Sequence, residues 1–257
     1  MPVVRAEGLG VRGGRGWVFR DVDLAVQPGE LVAITGPTGS GRTSLLLALA
    51  GRFRVREGSV RRTGPAALGL VAGVHEPEPA LSVAEHLEER LLLGPGNAAR
   101  LRRNRAAGRD DAAGRDDAAG RDDAAGRDDA AGRDDAAGRD DAAGRNHAAG
   151  RRWGRSGRRR DRAVVALEPY ADCLDPGLRG RDLTAMQRQL LGLALAELAE
   201  PALVLADDVD AGLSAAERAR LWAALADLAA RGPAVIVTAR EVDPTRDITR
   251  YEMSGQS

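Results

Sequence analysis

Four short runs of apolar residues predict buried β-strands, because each run is too short for a helix and is bounded by polar or turn residues. They lie at residues 31–35, 67–74, 202–206 and 234–238. Continuously apolar strands are typical of a parallel sheet that is covered by helices on both faces. Segments with helical character alternate with these runs. The pattern therefore predicts an α/β fold built on a mostly parallel sheet.

The N-terminal part of the chain follows a different pattern. Residues 3–11 and 17–26 alternate apolar and polar positions and are separated by the glycine-rich stretch 12–16. Such a pair predicts an antiparallel hairpin layer. Within it, Trp17 and Phe19 allow two interpretations, stacking on an adenine base or burial under the sheet. We favour burial, the usual fate of an aromatic side chain in a strand.

Capping residues predict where several helices begin. A hydroxyl residue precedes a glutamate by three positions at 82–85 and again at 214–217, which is the capping-box pattern. Thr184 opens a long apolar helix, and residues 163–170 also have helical character. The first helix of the chain should end at Gly51, because glycine adopts the left-handed conformation that closes many helices.

A repeat interrupts this pattern from residue 106. Six copies of Ala-Ala-Gly-Arg-Asp-Asp run to residue 141, followed by two imperfect copies up to residue 151. No side chain of the unit is both apolar and larger than alanine, so the repeat cannot build a core. We predict a disordered, low-complexity insert over 106–162 that has no specific metal site. Its deletion over 106–147 should leave nucleotide binding intact.

The composition limits the possible partners and location. The 38 Lys+Arg residues balance the 38 Asp+Glu residues, so no global attraction to nucleic acid is expected. All the basic residues are arginines, because the chain contains no lysine. The lone Cys173 excludes an internal disulfide, and we expect it to be a buried residue without a chemical role. No apolar run reaches the length of a membrane span, and the first residues lack signal-peptide features, which predicts a cytoplasmic protein.

The candidate chemistry lies between the first buried strand and the first helix. Two glycines separated by four residues are followed by a cationic and a hydroxyl residue, which is the Walker A pattern of a phosphate-binding loop. Its backbone N–H groups would cradle the phosphates of a nucleotide, and Thr43 would offer its hydroxyl to Mg²⁺. The alternative is an ordinary glycine-rich turn. The candidate residues are Gly36, Pro37, Thr38, Gly39, Ser40, Gly41, Arg42, Thr43 and Ser44.

The order of these elements resembles the ATP-binding subunit of ABC transporters. Asp207 falls on the Walker B aspartate, which in that family holds Mg²⁺, and Asp208 falls on the catalytic carboxylate, which polarises the attacking water. Residues 209–214 correspond to the family's Pro-Thr-Ser-Gly-Leu-Asp loop. Residues 183–189 correspond to the signature segment, which in the family completes the nucleotide site of the opposite subunit.

The resemblance implies an organisation and a function. It implies a P-loop NTPase core over 1–72 and 184–257, and a helical subdomain over 73–105 and 163–183 that contacts a membrane protein. It also implies ATP and Mg²⁺ as cofactors, a homo- or heterodimer of ATP-binding subunits, and coupling to a separate membrane permease. Through that partner, the subunit would associate peripherally with the cytoplasmic membrane.

Several residues depart from the family pattern, and most of them fall where chemistry is expected. The departures are Gly13 at the adenine-stacking tyrosine, Arg42 at the loop lysine, Gly73 at a glutamine, Ala185 and Met186 at the signature glycines, Asp208 at a glutamate, Ser214 at an aspartate, and Ala239 at the switch histidine. Arginine keeps the positive charge of the loop and suits phosphate oxygens. Asp208, however, has a shorter reach than glutamate, which should misplace the attacking water.

These departures leave three hypotheses. The first is an ABC-type ATPase of low activity that couples ATP binding and hydrolysis to a permease. The second is a subunit that binds ATP but is impaired in hydrolysis and acts as a regulator or as the passive half of a heterodimer. The third is a soluble P-loop kinase. In all three, the sequence supports nucleotide binding more firmly than hydrolysis.

Overall fold

The structure, a computed structural model, describes residues 1–14, 16–53, 55–93, 157–246 and 248–254. These residues belong to a unit made of Met1–Gly94 and Ser156–Ser257. Residues 106–156 of the predicted repeat insert lie outside the described residues, and only its last positions, 157–162, are described. In chain order the elements are β1 Val4–Gly13, β2 Gly16–Val26, β3 Leu31–Thr35, α1 Arg42–Leu49, β4 Glu57–Arg62, β5 Ala66–Leu68, α2 Val83–Leu93, α3 Gly157–Leu167, α4 Ala185–Glu197, β6 Leu203–Ala206, α5 Ala215–Ala230, β7 Ala234–Thr238 and β8 Thr249–Glu252.

A five-stranded sheet in the order β5-β6-β7-β3-β8 carries the fold, and every neighbouring pair in it is parallel. The three central strands β3, β6 and β7 are almost completely buried, as their continuously apolar sequences predict. Their carboxyl ends meet at one edge of the sheet. Ligands of open α/β sheets bind at this edge.

The antiparallel layer is a three-stranded sheet in the order β2-β1-β4. β1 and β2 pair as the alternating pattern predicts, with Val4 opposite Val26. The side chain of Phe19 is buried, as expected, whereas Trp17 is only half-buried, with the Arg12 guanidinium 4.3 Å from its ring centre. Apolar residues of this layer share one core with β3, β6, β7 and α1.

All three predicted caps are present. The hydroxyls of Ser82, Thr184 and Ser214 each accept the main-chain N–H three positions later. The acidic or amide side chain of that later residue accepts the main-chain N–H of the capping residue in return. The first helix ends at Leu49, and the predicted left-handed Gly51, with φ +71°, closes it by donating its N–H to the Ala48 carbonyl. These caps anchor the helices that cover the sheet.

The structure corrects four sequence-based expectations about local structure. β5 ends at Leu68 instead of residue 74, because glycines interrupt the apolar run and Gly73 turns at φ +69°. α3 begins at Gly157, inside the range expected to be disordered, since arginine is a good helix former. The edge strands β4 and β8 were not predicted. Cys173 is half-buried rather than buried.

Across the described part of the chain, no helix combines the length and the apolar character needed to cross a membrane.

Candidate functional site

The loop that joins β3 to α1 requires glycine at two positions. Gly36 has φ +144°, and a Cβ there would lie 2.6 Å from the carbonyl oxygen of Met253. Gly41 has φ +87°, and a Cβ there would lie 2.5 Å from the carbonyl oxygen of Val18. Real Cβ atoms do not approach backbone oxygens this closely. The predicted loop therefore packs its glycines tightly against neighbouring strands.

Helix α1 presents its first N–H groups at the end of this loop. Its N-cap Gly41 has no side chain, and the first intrahelical bond runs from the Leu45 N–H to the Gly41 carbonyl, at 2.8 Å. The N–H groups of Arg42, Thr43 and Ser44 thus belong to the helix turn whose donors have no helical acceptor. Together with the helix dipole, these donors form a site suited to an anion such as phosphate.

The rest of the loop supports this helix end. Ser40 donates its N–H to the Pro37 carbonyl at 3.1 Å, and its side chain is buried beneath the loop. Pro37, Thr38 and Gly39 are exposed. The exposed rim leaves access to the helix terminus from solvent.

Thr43 and Asp207, the two predicted Mg²⁺ ligands, lie in direct contact. The Thr43 hydroxyl donates to Asp207 Oδ2 at 2.8 Å. Neighbouring oxygens of a Mg²⁺ octahedron lie about 2.9 Å apart, as Mg–O distances of ~2.0–2.1 Å require. The two side chains therefore fit a Mg²⁺ ion by both ligand chemistry and spacing.

Thr238, at the end of β7, fixes both acidic residues that follow β6. Its hydroxyl donates to Asp207 Oδ1 and accepts the Asp208 N–H at 2.7 Å. The side-chain amide of Gln189 also donates to the Asp207 carbonyl, at 3.4 Å. These contacts hold Asp207 in one orientation toward Thr43.

Asp208, the predicted catalytic residue, occupies a strained backbone position at φ +45°, which is uncommon for a residue other than glycine. Its carboxylate lies between two guanidinium groups, at 3.7 Å from Arg42 and 3.5 Å from Arg240. Within the described part of the chain, its Oδ1 is buried without a hydrogen bond. Asp208 is thus paired by charge rather than by directional bonds.

Arg42, which replaces the loop lysine, spans the site. One guanidinium nitrogen donates to the Ala239 carbonyl at 2.8 Å, and another faces Asp208. Its side chain is only 11% exposed. The longer arginine side chain therefore reaches past the loop to the ends of β6 and β7.

Sequence reasoning missed Thr238, Asp210 and Arg240. The buried carboxylate of Asp210 accepts the Arg240 N–H and, at 2.8 Å, the Glu241 N–H. It thereby ties the loop after β6 to the loop after β7. The one available signal was the rule that the carboxyl ends of parallel strands meet, which could have drawn attention to Thr238 and the residues after it.

The degenerate signature segment packs into its own subunit. Thr184 and Gln187 close the cap of α4, and the Gln187 amide donates to the Cys173 carbonyl at 3.0 Å. Met186 is buried, so its bulk replaces a glycine within the packed N-terminus of the helix. Ala185 is half-buried.

Gly73 and Ala239, at the glutamine and histidine positions of the family pattern, carry no polar side chain. The Gly73 N–H donates to Glu76 Oε1 at 2.7 Å, and the nearby His75 Nδ1–H donates to the Gly69 carbonyl at 2.8 Å. Burial holds the pKa of His75 below its ordinary value. Neither position offers a phosphate-binding side chain to the site.

Comparisons with known proteins agree with this geometry. The ABC transporter family model matches residues 19–211, which is more than half of the chain. A Streptomyces avermitilis protein described as an ABC transporter ATP-binding protein is 30% identical over 251 residues, 95% of this chain but 34% of its own length. A zinc import ATP-binding protein of Jannaschia sp. is 50% identical over 60 residues, which cover 23% of this chain and 25% of that protein. The chain therefore spans only about a third of the length of the Streptomyces relative.

Solved structures support the fold. An ATP-binding cassette of an ABC transporter superposes with a TM-score of 0.66 at 17% identity, covering 98% of this chain and 88% of that one. A nucleotide-free ATP-binding cassette superposes with a TM-score of 0.64 at 16% identity, over 98% and 88% of the two chains. The predicted α/β P-loop NTPase fold is thus confirmed. With the family match and the Thr43–Asp207 geometry, the chain belongs to the ABC transporter family as an ATP-binding cassette.

Proposed function

We propose that this cassette binds MgATP at the loop over 36–44 and couples it to a separate membrane permease. The nucleotide phosphates would lie at the N–H groups of Arg42, Thr43 and Ser44. The Thr43 hydroxyl and the Asp207 carboxylate would hold Mg²⁺, which would offset the negative charge of the phosphates.

The contact between Thr43 and Asp207 carries this proposal. It joins a hydroxyl in the first turn of α1, where phosphate would bind, to a carboxylate that directly follows β6, at the spacing of two Mg²⁺ ligands. A glycine-rich turn without a nucleotide has no need for such a pair. In the described part of the chain, no three His, Cys, Asp or Glu side chains form a metal cluster. Mg²⁺ would therefore depend on the nucleotide for most of its ligands, as is usual for this ion.

Calorimetric titration with ATP, with and without Mg²⁺, tests the binding. We expect saturable binding that weakens when Mg²⁺ is chelated. Asp207→Asn should reduce this Mg²⁺ dependence, whereas Asp175→Asn, on an exposed turn remote in sequence from the loop, should leave it unchanged. Absence of saturable binding at millimolar MgATP would overturn the proposal.

Two observations support a membrane partner. Curated relatives carry names such as hemin import ATP-binding protein and cytochrome c biogenesis ATP-binding export protein. In this chain, large apolar side chains are exposed on α3 and at the end of α2, namely Val164, Val165 and Leu93. Apolar surface of this kind is typical of an interaction site. We propose that this helical region docks on a permease, which would hold the cassette at the cytoplasmic membrane.

Co-purification from solubilised membranes tests the docking. We expect a membrane protein to be recovered with the full chain and to be lost when Val164 and Val165 are both replaced by Ser. Replacement of the exposed Phe53 by Ser is the control, since it lies outside the helical subdomain over 73–105 and 163–183. A membrane protein recovered equally with all three forms would contradict the proposed docking surface.

Hydrolysis is the second part of the proposal. A cassette of this family is expected to form a dimer around ATP and to use the carboxylate at Asp208 to orient water. Here that carboxylate faces two arginines, and alanine and methionine replace the two signature glycines. Both features favour slow turnover, and they equally support the alternative of a regulatory or passive subunit that binds ATP without hydrolysing it.

Phosphate release by purified protein separates these two candidates. Slow, steady release that Asp208→Asn abolishes would support the ATPase. Saturable MgATP binding without release above the Asp208→Asn background would support the regulatory subunit. The soluble kinase hypothesis is not favoured by the family match.

A further inference from the structure

A positively charged side chain lies beside the reacting end of the site without an assigned role. Arg240 follows Ala239, the residue that leaves the switch position without a polar side chain. Its guanidinium lies 3.5 Å from Asp208 Oδ2, the carboxylate proposed to orient water. The position is therefore within reach of the region where the terminal phosphate would lie.

The two arginines that face Asp208 are held very differently. The side chain of Arg42 is 11% exposed and donates to the Ala239 carbonyl, whereas that of Arg240 is 63% exposed. Exposed ion pairs contribute little to stability because solvent screens them. Moving Arg240 away from Asp208 should therefore cost little, while Arg42 stays anchored.

The backbone of Arg240 does not share this freedom. Its N–H is bound by both carboxylate oxygens of Asp210, at 3.1 and 3.0 Å, and the next N–H is bound at 2.8 Å. Asp210 is buried and stands where the family pattern has an uncharged residue. The main chain of Arg240 is therefore fixed beside the site, while its exposed side chain can turn from Asp208 toward a ligand.

A terminal phosphate would compete with Asp208 for Arg240. Phosphate offers more negative charge than a carboxylate and accepts two parallel hydrogen bonds from one guanidinium. The Asp208 carboxylate, in contrast, lies farther from Arg240 than a normal hydrogen bond, and its buried Oδ1, which faces Arg42 at 3.7 Å, makes no hydrogen bond within the described residues. An exchange of Arg240 from Asp208 to phosphate would give Arg240 a stronger partner and leave the Asp208 carboxylate paired with Arg42 alone.

We propose that Arg240 is a further phosphate-binding residue of this cassette, which contacts the terminal phosphate of ATP in place of the missing switch histidine. The proposal rests on MgATP binding at the loop over 36–44. Because ADP lacks the third phosphate of ATP, which Arg240 would contact, Arg240 makes the site prefer ATP over ADP. In the nucleotide-free state, the same side chain stays paired with Asp208.

Nucleotide selectivity tests this role. Dissociation constants for MgATP and MgADP are measured by calorimetry for the full chain and for Arg240→Gln. We expect the variant to bind ATP roughly tenfold more weakly, the scale of one lost charge-assisted hydrogen bond, with ADP affinity unchanged. Arg240→Lys should retain part of the ATP preference. Arg220→Gln, on the exposed face of α5, is the control and should match the wild type.

The possible failures are distinct. If Arg240→Gln weakens ATP and ADP equally, or neither, the role of Arg240 is wrong while nucleotide binding stands. If the wild-type protein binds neither nucleotide, the proposed function fails and this inference fails with it. Urea unfolding of each variant checks that the loss of affinity does not come from a loss of folded protein.

Discussion

The guanidinium of Arg42 donates a hydrogen bond of 2.8 Å to the main-chain carbonyl of Ala239. This bond connects the first turn of α1 to the end of β7, two elements that carry different motifs of the site. A lysine in the same place has a single terminal nitrogen and a shorter side chain, so it cannot make this bond and face Asp208 together. The substitution therefore alters the pairing of Asp208 as well as the loop.

We predict that Arg42→Lys raises phosphate release while MgATP binding is kept. The shorter side chain leaves Asp208 with one arginine instead of two, and a partly exposed ion pair of this kind contributes up to about 1 kcal/mol, or roughly fivefold in rate. Steady-state phosphate release and calorimetric affinity are measured on the same preparations. Loss of both binding and release would show instead that the arginine is needed for the nucleotide itself.

A second prediction separates backbone conformation from packing in the loop. Gly41 and Gly39 have nearly the same φ, +87° and +85°, but only at Gly41 would an added Cβ meet another atom closely. Gly39→Ala should therefore cost about 1–2 kcal/mol of unfolding free energy, the usual penalty of the left-handed conformation. Gly41→Ala adds a clash with the Val18 carbonyl and should cost about 2–4 kcal/mol.

Urea unfolding of the two glycine variants gives the comparison. MgATP affinity should fall strongly in Gly41→Ala, because the loop must move away from Val18. In Gly39→Ala the loop keeps its packing, and the affinity should change much less. Equal losses in the two variants would mean that the contact with Val18 does not shape the loop.

The elements that could be predicted from the sequence are those whose own residues carry the whole signal, independently of distant parts of the chain. Apolar runs identified β3, β6 and β7, because both faces of these strands are buried. Capping boxes marked the starts of α2 and α5, and Thr184 marked the start of α4. The edge strands β4 and β8 could not be recognised, because their residues are mostly exposed and lack regular alternation. Their pairing depends on β1 and β3, which lie far away in the sequence.

The candidate site follows the same rule. The loop and the acidic pair at 207–208 are contiguous motifs and could be read directly. The contacts made by Thr238, Asp210 and Arg240 join residues about 30 positions apart. No spacing in one sequence encodes such contacts. They follow from the parallel pairing of β6 and β7, which brings the two strand ends together.

Stability should depend on pH through His75. Burial is the main cause that lowers the pKa of this imidazole, helped by the charges of Arg90 and Arg52, while the Gly69 carbonyl opposes them. As the pH falls, His75 of the unfolded chain therefore takes up a proton near pH 6.5, before His75 of the folded protein does. Consequently, neutral His75 makes its full contribution to the free energy of unfolding above that pH, and this contribution is lost as the pH falls below it.

Urea unfolding at pH 7.5, 6.5 and 5.5 checks this dependence. Carboxylates titrate mostly below this range, so the decrease reports mainly on histidine. The wild type should lose more unfolding free energy between pH 7.5 and 5.5 than His75→Gln, which cannot take up the proton. Parallel curves for the two proteins would exclude His75 as the source.

Asp210 should be important for stability because its carboxylate binds main-chain N–H groups of the loop after β7. Its buried carboxylate accepts the N–H groups of Arg240 and Glu241, and Asp210→Ala would leave both without an acceptor. An unsatisfied buried donor costs about 1–3 kcal/mol, so we expect a loss of about 2–4 kcal/mol in unfolding free energy, since these groups are partly buried. Asp210→Asn keeps one acceptor oxygen and should lose less.

The control for Asp210 is Asp175, which also accepts a main-chain N–H, from Gly177, but on an exposed turn. Asp175→Ala should change stability by less than about 0.5 kcal/mol, because water replaces the lost acceptor. Since Asp210 also fixes the main chain of Arg240, we expect Asp210→Asn to reduce the preference for MgATP over MgADP. The affinities are measured under conditions in which the variant stays folded. A variant that is destabilised but keeps the full preference would show that Asp210 stabilises the loop without positioning Arg240.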